Sequence, residues 1–193
     1  MTFKRILQLA RPWAFYIGLF LILRYTGVIS AVSSVTQQAL MKTGAMDAEP
    51  SDATLDKKFN YNFALRDING NTVDIQSLKG KTIFINVWAT WCGPCRVEMP
   101  SIQSLYDKVD HEKIAFIMLA IDQKDAHRKV TSYIGDKGFT FPVYFPDKTL
   151  PEQLQVRSIP ATFVINREGK IVFREMGAAN YGTEEFRSFL MNL

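Results

Sequence analysis

From residue 59 onward the hydrophobic positions change period repeatedly, and each change marks an element. Residues 60–66 alternate, Asp67, Ile68, Asn69 and Gly70 have turn chemistry, and 72–75 resumes extended character, which predicts a hairpin. The run Thr82, Ile83, Phe84, Ile85, Asn86, Val87, Trp88 is rich in β-branched and aromatic types and predicts a strand. From Cys95 to about Lys108 the apolar residues Val97, Ile102, Leu105 and Val109 fall at helical spacing. An unbroken apolar run at 114–121 predicts a strand buried on both faces. A helix over 124–137 ending near Gly138, a short strand at 141–145 and a helical turn at 150–155 come next. Strands at 161–166 and 170–174 flank the turn Arg167, Glu168, Gly169. The last helix, 183–192, has Thr183 as its cap and Glu184 and Glu185 in its first turn. Strands alternating with helices predict an α/β domain over 59–193, a central mixed sheet flanked by helices with an extra amino-terminal hairpin.

The first 58 residues have another pattern. Apolar runs at 13–23 and 25–35 are separated by Arg24 and preceded by Lys4, Arg5 and Arg11. Taken together, residues 12–35 are long enough to cross a bilayer as one helix. An arginine at mid-membrane costs roughly 2.5–3.5 kcal/mol, and each Leu, Ile, Phe or Val returns roughly 0.3–0.6, so the apolar residues about offset Arg24, which can also snorkel. The alternatives are a cleaved signal peptide, which lacks an Ala-x-Ala site here, and a soluble amphipathic helix. We expect residues 1–11 to be a cytoplasmic basic segment, 12–35 a signal anchor, and 36–58, polar and acidic beyond Lys42, a flexible linker. The basic flank would keep the amino terminus cytoplasmic and send the domain to an extracytoplasmic, oxidising space.

Charge supports this division. Residues 1–46 carry five basic side chains and no acidic one, whereas 47–193 carry 18 basic and 19 acidic. The domain is near −1, without the basic footprint of a nucleic-acid binder.

The chain's two cysteines stand two residues apart, in Trp91, Cys92, Gly93, Pro94, Cys95. Cys92 is expected where a strand ends and a helix begins, where unpaired N–H groups and the helix dipole favour a thiolate. Pro94 suits a first helical turn, and Cys95, one turn in, can close a small disulfide and resolve a mixed disulfide formed at Cys92. Pro100 removes a hydrogen bond further along and is expected to kink the helix. A zinc site would need a second ligand pair, and His111 and His127 lack ligand spacing. Haem attachment would need His where Arg96 stands. No metal or cofactor is expected beyond the Cys92–Cys95 pair itself.

Residues 86–100 (Asn86 through the Trp91–Cys95 motif to Glu98 and Pro100), together with Ser158, Ile159, Pro160, Ala161, Thr162 and Phe163, resemble the thioredoxin superfamily. Within it the chain is similar to the membrane-anchored TlpA/ResA-like thiol–disulfide oxidoreductases of bacteria. The resemblance implies a thioredoxin fold with a central insertion between Ile121 and Arg157, and a place in the inner membrane with the domain outside the cytoplasm. It implies a cis peptide bond at Pro160 and a substrate-binding surface of Trp91, Gly93, Pro94, Ile159 and Pro160. Thioredoxin has a buried Asp where Asn86 stands, and Asn86 cannot titrate. Glu98, three residues beyond Cys95 and so on the same helix face, matches an active-site Glu of the ResA-like group and is the candidate for proton handling.

Gly-Pro between the cysteines is similar to the reducing thioredoxins rather than to oxidants with His in that gap. The expected activity is protein-disulfide reduction: Cys92 attacks, Cys95 resolves, and a membrane thiol donor restores the pair. Envelope proteins with disulfides, apocytochrome c among them, are the expected substrates. The rivals are a thiol peroxidase of the peroxiredoxin branch, which would need Thr or Ser where Ala89 stands, and a non-catalytic module of the same fold.

Overall fold

The computed structural model describes residues 43–49, 57–123 and 126–193, with residues 13, 16–20, 22, 25, 36 and 39–41. The chain divides into two compact units, Met1–Ala39 and Leu40–Leu193. In the first, the described residues are helical, and Trp13, Tyr16, Phe20 and Tyr25 are exposed. The basic segment 1–11 and most of the anchor expected over 12–35 lie outside the described residues. Among those described, no helix is long and apolar enough to cross a membrane.

In the second unit β1 (Ala64–Asp67) and β2 (Thr72–Asp74) form the hairpin, followed by β3 (Thr82–Trp88), α1 (Gly93–Tyr106), β4 (Ile114–Ala120), α2 (His127–Lys137), β5 (Val143–Pro146), β6 (Ala161–Ile165), β7 (Ile171–Met176) and α3 (Glu184–Asn192). The hairpin turn is built by Asp67, whose carboxylate accepts from the N–H groups of Asn69 and Asn71, while Gly70 takes positive φ. β5 begins at Val143 rather than 141, because Pro142 has no N–H for the ladder; its carbonyl accepts from Met118 N–H instead. Gly138, at φ 68°, ends α2 in the left-handed conformation. α1 continues through Pro100 without interruption.

The strands form one mixed sheet in the order β2-β1-β5-β4-β3-β6-β7. β3, β4 and β5 are parallel, and the remaining pairs are antiparallel. β3 lies between β4 and β6 and is buried along its whole length, so its side chains alternate between two apolar layers rather than between core and water. Phe84 and Trp88 join Phe116 and Met118 of β4 in a layer with Met99 and Ile102 of α1, Val130 of α2 and Phe186 of α3. Ile83, Ile85 and Val87 join Ile117 and Leu119 in the opposite layer, with Phe59, Tyr61, Ile75 and Leu154. Thus α1, α2 and α3 share one layer, and the other is closed by the segment before β1 and by short 3-10 turns at Ile75–Leu78 and Glu152–Leu154. Period-two alternation puts Asn86 on the helix side.

The segment expected as a free linker, 36–58, departs from that expectation at two places. Asp47 forms a parallel bridge with Asn180, and Lys58 an antiparallel one with Lys170. Ala48 is buried.

Candidate active site

The parallel β3 carries the chain to the edge of the helix layer, and α1 starts shortly after it. Cys92 is the N-cap of α1, in extended conformation, and its Sγ accepts from the N–H of Cys95 at 3.2 Å. Cys92 and Cys95 are joined in a disulfide with Cα atoms 5.3 Å apart. The two cysteines are both buried but not equally, since Cys92 keeps 5% of its residue surface exposed and Cys95 none. Gly93 and Pro94 are exposed in the first turn, and Trp91 is 64% exposed beside Cys92. Cys92 is thus the less buried of the two, and it stands at the helix end, where partial positive charge favours a thiolate.

The approach to Cys92 is braced by Thr90. Its N–H and hydroxyl both donate to the carboxylate of Asp122, at 2.9 and 2.6 Å, just past the carboxyl end of β4. Across the sheet, Ala161 pairs with Val87, so Pro160 sits at the Trp88 end of β3, the end from which the cysteine segment leaves. The Ile159–Pro160 bond is cis. Pro160 is buried, Ile159 half-buried, and the Pro160 carbonyl accepts from Gly177 N–H at 2.9 Å.

Glu98 is fully buried one turn beyond Cys95. Its Oε1 accepts from Asn86 Nδ2 at 2.7 Å and its Oε2 from Ala179 N–H at 3.2 Å. Asn86 also donates to Thr162 Oγ1 at 2.9 Å, the residue it opposes in β6. Burial pushes the Glu98 carboxyl up to about 8; the donors Asn86 and Ala179 pull against this, and Glu175 adds to it. Among the described residues no cation offsets the desolvation, so the group holds its proton at neutral pH. Tyr181 is buried nearby and is raised well above its ordinary value, by burial first and then by Glu98. A hollow of about 1050 Å³ opens beside the start of α1, with Thr90, Arg96, Arg128, Lys129 and Tyr133 in its wall. The guanidinium of Arg96 lies 5.7 Å from the centre of the Tyr133 ring.

The structure thus brings Cys92, Cys95 and Glu98 onto one helix, with Trp91, Gly93 and Pro94 exposed at its start. Ile159 and Pro160 come to the same end of the sheet. Asp122 and Ala179 are neighbours of the site that the sequence alone does not single out, and Thr162 stands in the Ser158–Phe163 motif without a role assigned to it. Asp122 does leave a signal, an acidic residue directly after an apolar strand, where open α/β sheets place their functional groups. Thr162 and Ala179 act through a hydroxyl and a backbone N–H that no local pattern marks.

A family model described as Redoxin matches residues 54–189. The chain is 33% identical over 117 residues to thiol-disulfide oxidoreductase ResA of Bacillus thuringiensis (strain Al Hakam), covering 60% of this chain and 66% of that relative. It is 31% identical over 132 residues to ResA of Halalkalibacterium halodurans, covering 67% of this chain and 73% of the relative. The crystal structure of StoA from Bacillus subtilis superposes with a TM-score of 0.55 at 23% identity, over 73% of this chain and 98% of that one, a likeness of fold. The mixed-sheet, thioredoxin-like architecture expected from the sequence is therefore present.

Proposed function

Because the chain belongs to the Redoxin family and is ResA-like within the thioredoxin superfamily, we propose that it is a thiol–disulfide oxidoreductase working through Cys92 and Cys95. The observation that carries this reading is Cys92, the N-cap of α1 with 5% of its surface exposed, in a disulfide with a fully buried Cys95, one turn before a buried Glu98. In the reductive direction the Cys92 thiolate attacks a substrate disulfide, giving a mixed disulfide and one substrate thiolate. Cys95 then loses its proton and attacks Cys92 sulfur, which closes the Cys92–Cys95 bond and frees the second substrate thiolate. Two electrons pass from the dithiol to the substrate, and the two thiolates take up protons. The acceptor for the Cys95 proton is the ionised form of Glu98, a minor fraction at neutral pH that grows as pH rises toward about 8. Burial raises the Glu98 carboxyl to about 8, which makes its carboxylate a stronger base toward a thiol than an ordinary carboxylate is.

The direction we propose is reduction, for disulfide-bearing proteins of the cell envelope, including apocytochrome c, with a membrane thiol protein as electron donor. Gly93 and Pro94 in the gap support it. Trp91, Gly93, Pro94, Ile159 and Pro160 form the proposed surface for the substrate strand. Anchorage through residues 12–35, with the domain outside the cytoplasm, is supported by the basic flank, the apolar run and the exposed helical aromatics Trp13, Tyr16 and Phe20. The peroxidase reading is weakened by Ala89 in place of a hydroxyl residue and by Thr90, whose hydroxyl is committed to Asp122.

The test is the reduction potential of the pair in the detergent-solubilised full chain, equilibrated in thiol redox buffers. A value well below about −220 mV supports a reductase, and one near about −120 mV makes the protein an oxidant and overturns the direction.

A further inference from the structure

The segment that precedes the domain touches the loop that holds Glu98. The carbonyl of Met46 accepts from Asn180 N–H at 2.6 Å, and Ala48 N–H donates to the Asn180 carbonyl at 3.0 Å. Asn180 Nδ2 donates to Asp47 Oδ1 at 2.6 Å, and Asn180 Oδ1 accepts from Gly182 N–H at 3.1 Å. Residues 46–48 thus pair through a single parallel bridge with the loop between β7 and α3, with Ala48 only 3% exposed in the helix-side core.

The neighbours of Asn180 in the chain are the groups around the buried carboxylate. Ala179 gives its N–H to Glu98 Oε2, and Tyr181 is buried beside Glu98, with its own N–H on Ser101 Oγ at 3.1 Å. Ser101 in turn donates to the Glu98 carbonyl at 2.7 Å. Every hydrogen bond made by residues 46–48 to Asn180 therefore acts on the one loop residue that lies between two Glu98 neighbours.

We infer that residues 46–48 are a positioning element of the redox site: they brace residues 179–181 against α1, and so hold the donor and the dry wall that surround Glu98. The inference rests on the reading of Glu98 as the proton acceptor. Its consequence is that the stretch between anchor and domain influences thiol chemistry, so tension or a bound partner on that stretch would change the site without touching a cysteine. Besides Cys95 on its own helix, the groups facing Glu98 are Glu175 from β7 and Tyr181 from the loop. Releasing the brace admits water to the carboxylate, and because burial is the largest influence on it, the carboxyl should ionise at lower pH.

The experiment uses the detergent-solubilised full chain and reads the pH profile for reduction of a small aromatic disulfide by the dithiol form. Four proteins are compared: wild type, Ala48→Pro, which removes the donor to Asn180, Glu98→Gln, and the double variant. We expect a Glu98-dependent inflection in the wild type, its displacement toward acid by about half a pH unit or more in Ala48→Pro, and no effect of Ala48→Pro once Glu98 is Gln. Asp47→Ala, which keeps the backbone intact, should give a smaller displacement in the same direction, and Asp47→Asn should restore the wild-type profile. If Glu98→Gln removes the inflection while Ala48→Pro and Asp47→Ala leave it in place, the brace is overturned and the Glu98 reading stands. If Glu98→Gln leaves the profile unchanged, the Glu98 reading fails and the brace with it. Should Ala48→Pro fail to fold, Asp47→Ala decides by the same criterion.

Discussion

Asn86 and Glu98 meet inside the helix layer of the domain, where Asn86 Nδ2 donates to Glu98 Oε1 at 2.7 Å and neither side chain reaches solvent. A neutral amide faces the carboxyl where a cation would have held it ionised, so desolvation wins and the proton stays on at neutral pH. The amide still fixes the carboxyl's orientation, because it is itself tied to Thr162 across the β3–β6 ladder.

The first consequence is a pH-dependent stability. Glu98 has an ordinary value of 4.5 and is pushed up to about 8 in the folded protein. Between those values the native state holds a proton that the unfolded state has released, so stability must fall as pH rises through this window and level off above it. The loss from Glu98 alone is on the order of a few kcal/mol. Denaturant unfolding of the oxidised chain at the two ends of the window should show this decline in the wild type and a much flatter response in Glu98→Gln. Equal slopes for the two proteins would refute the assignment.

The inequality of the sulfurs predicts different single variants. Cys95→Ser should accumulate a mixed disulfide between Cys92 and substrate, because the resolving thiolate is gone. Cys92→Ser should form none, since the remaining thiol is fully buried. Both should lose turnover. Non-reducing electrophoresis with mass analysis of the adduct checks this, and an adduct on Cys95 in the Cys92→Ser protein would reverse the assigned order of attack.

Much of the fold is legible in local pattern. The bounds of β3 match the expected run, Cys92 stands at the expected strand–helix junction, and Thr183 caps α3 by accepting from Phe186 N–H at 3.1 Å. The hairpin is also legible, but its seat on β5 is not, because the partners of Leu65 and Arg66 are Pro146 and Phe145, far along the chain. Spacing places Glu98 on the Cys95 face yet does not reveal its complete burial, since a carboxylate at a helix position ordinarily faces water. Asn86 looks like a lost acid in the sequence because its partner lies on another element. Residues 46–48 look like tether because polar composition does not reveal a backbone partner at Asn180.

Asp122 is predicted to act on rate and stability through Thr90. In Asp122→Ala the Thr90 N–H and hydroxyl lose their acceptor while Thr90 stays nearly buried, at 6% exposure. The cost should be about 1–3 kcal/mol, and the loosened turn before Trp91 should slow attack by Cys92. Denaturant unfolding and the second-order rate with a model disulfide measure the two effects. Unchanged stability would mean that the Thr90–Asp122 pair does not brace the turn.

Asn86→Asp would put a second carboxyl into the same dry space. Thioredoxin carries an Asp at this position, and here it would stand within hydrogen-bond distance of Glu98, with Thr162, Ala179, Tyr181 and Glu175 as polar neighbours of the pair. Two carboxylates at that separation do not both ionise, so the pair should share one proton and release it only at higher pH. The alkaline inflection of the pH–rate profile should therefore move upward relative to wild type, and the protein should lose stability most steeply on the alkaline side. The amide's orienting bond is replaced by a shared proton rather than abolished, so activity at mildly acidic pH should survive better than in Glu98→Gln. An inflection that stays in place or moves toward acid would show that water reaches the pair, and would remove desolvation as the cause of the raised Glu98 carboxyl.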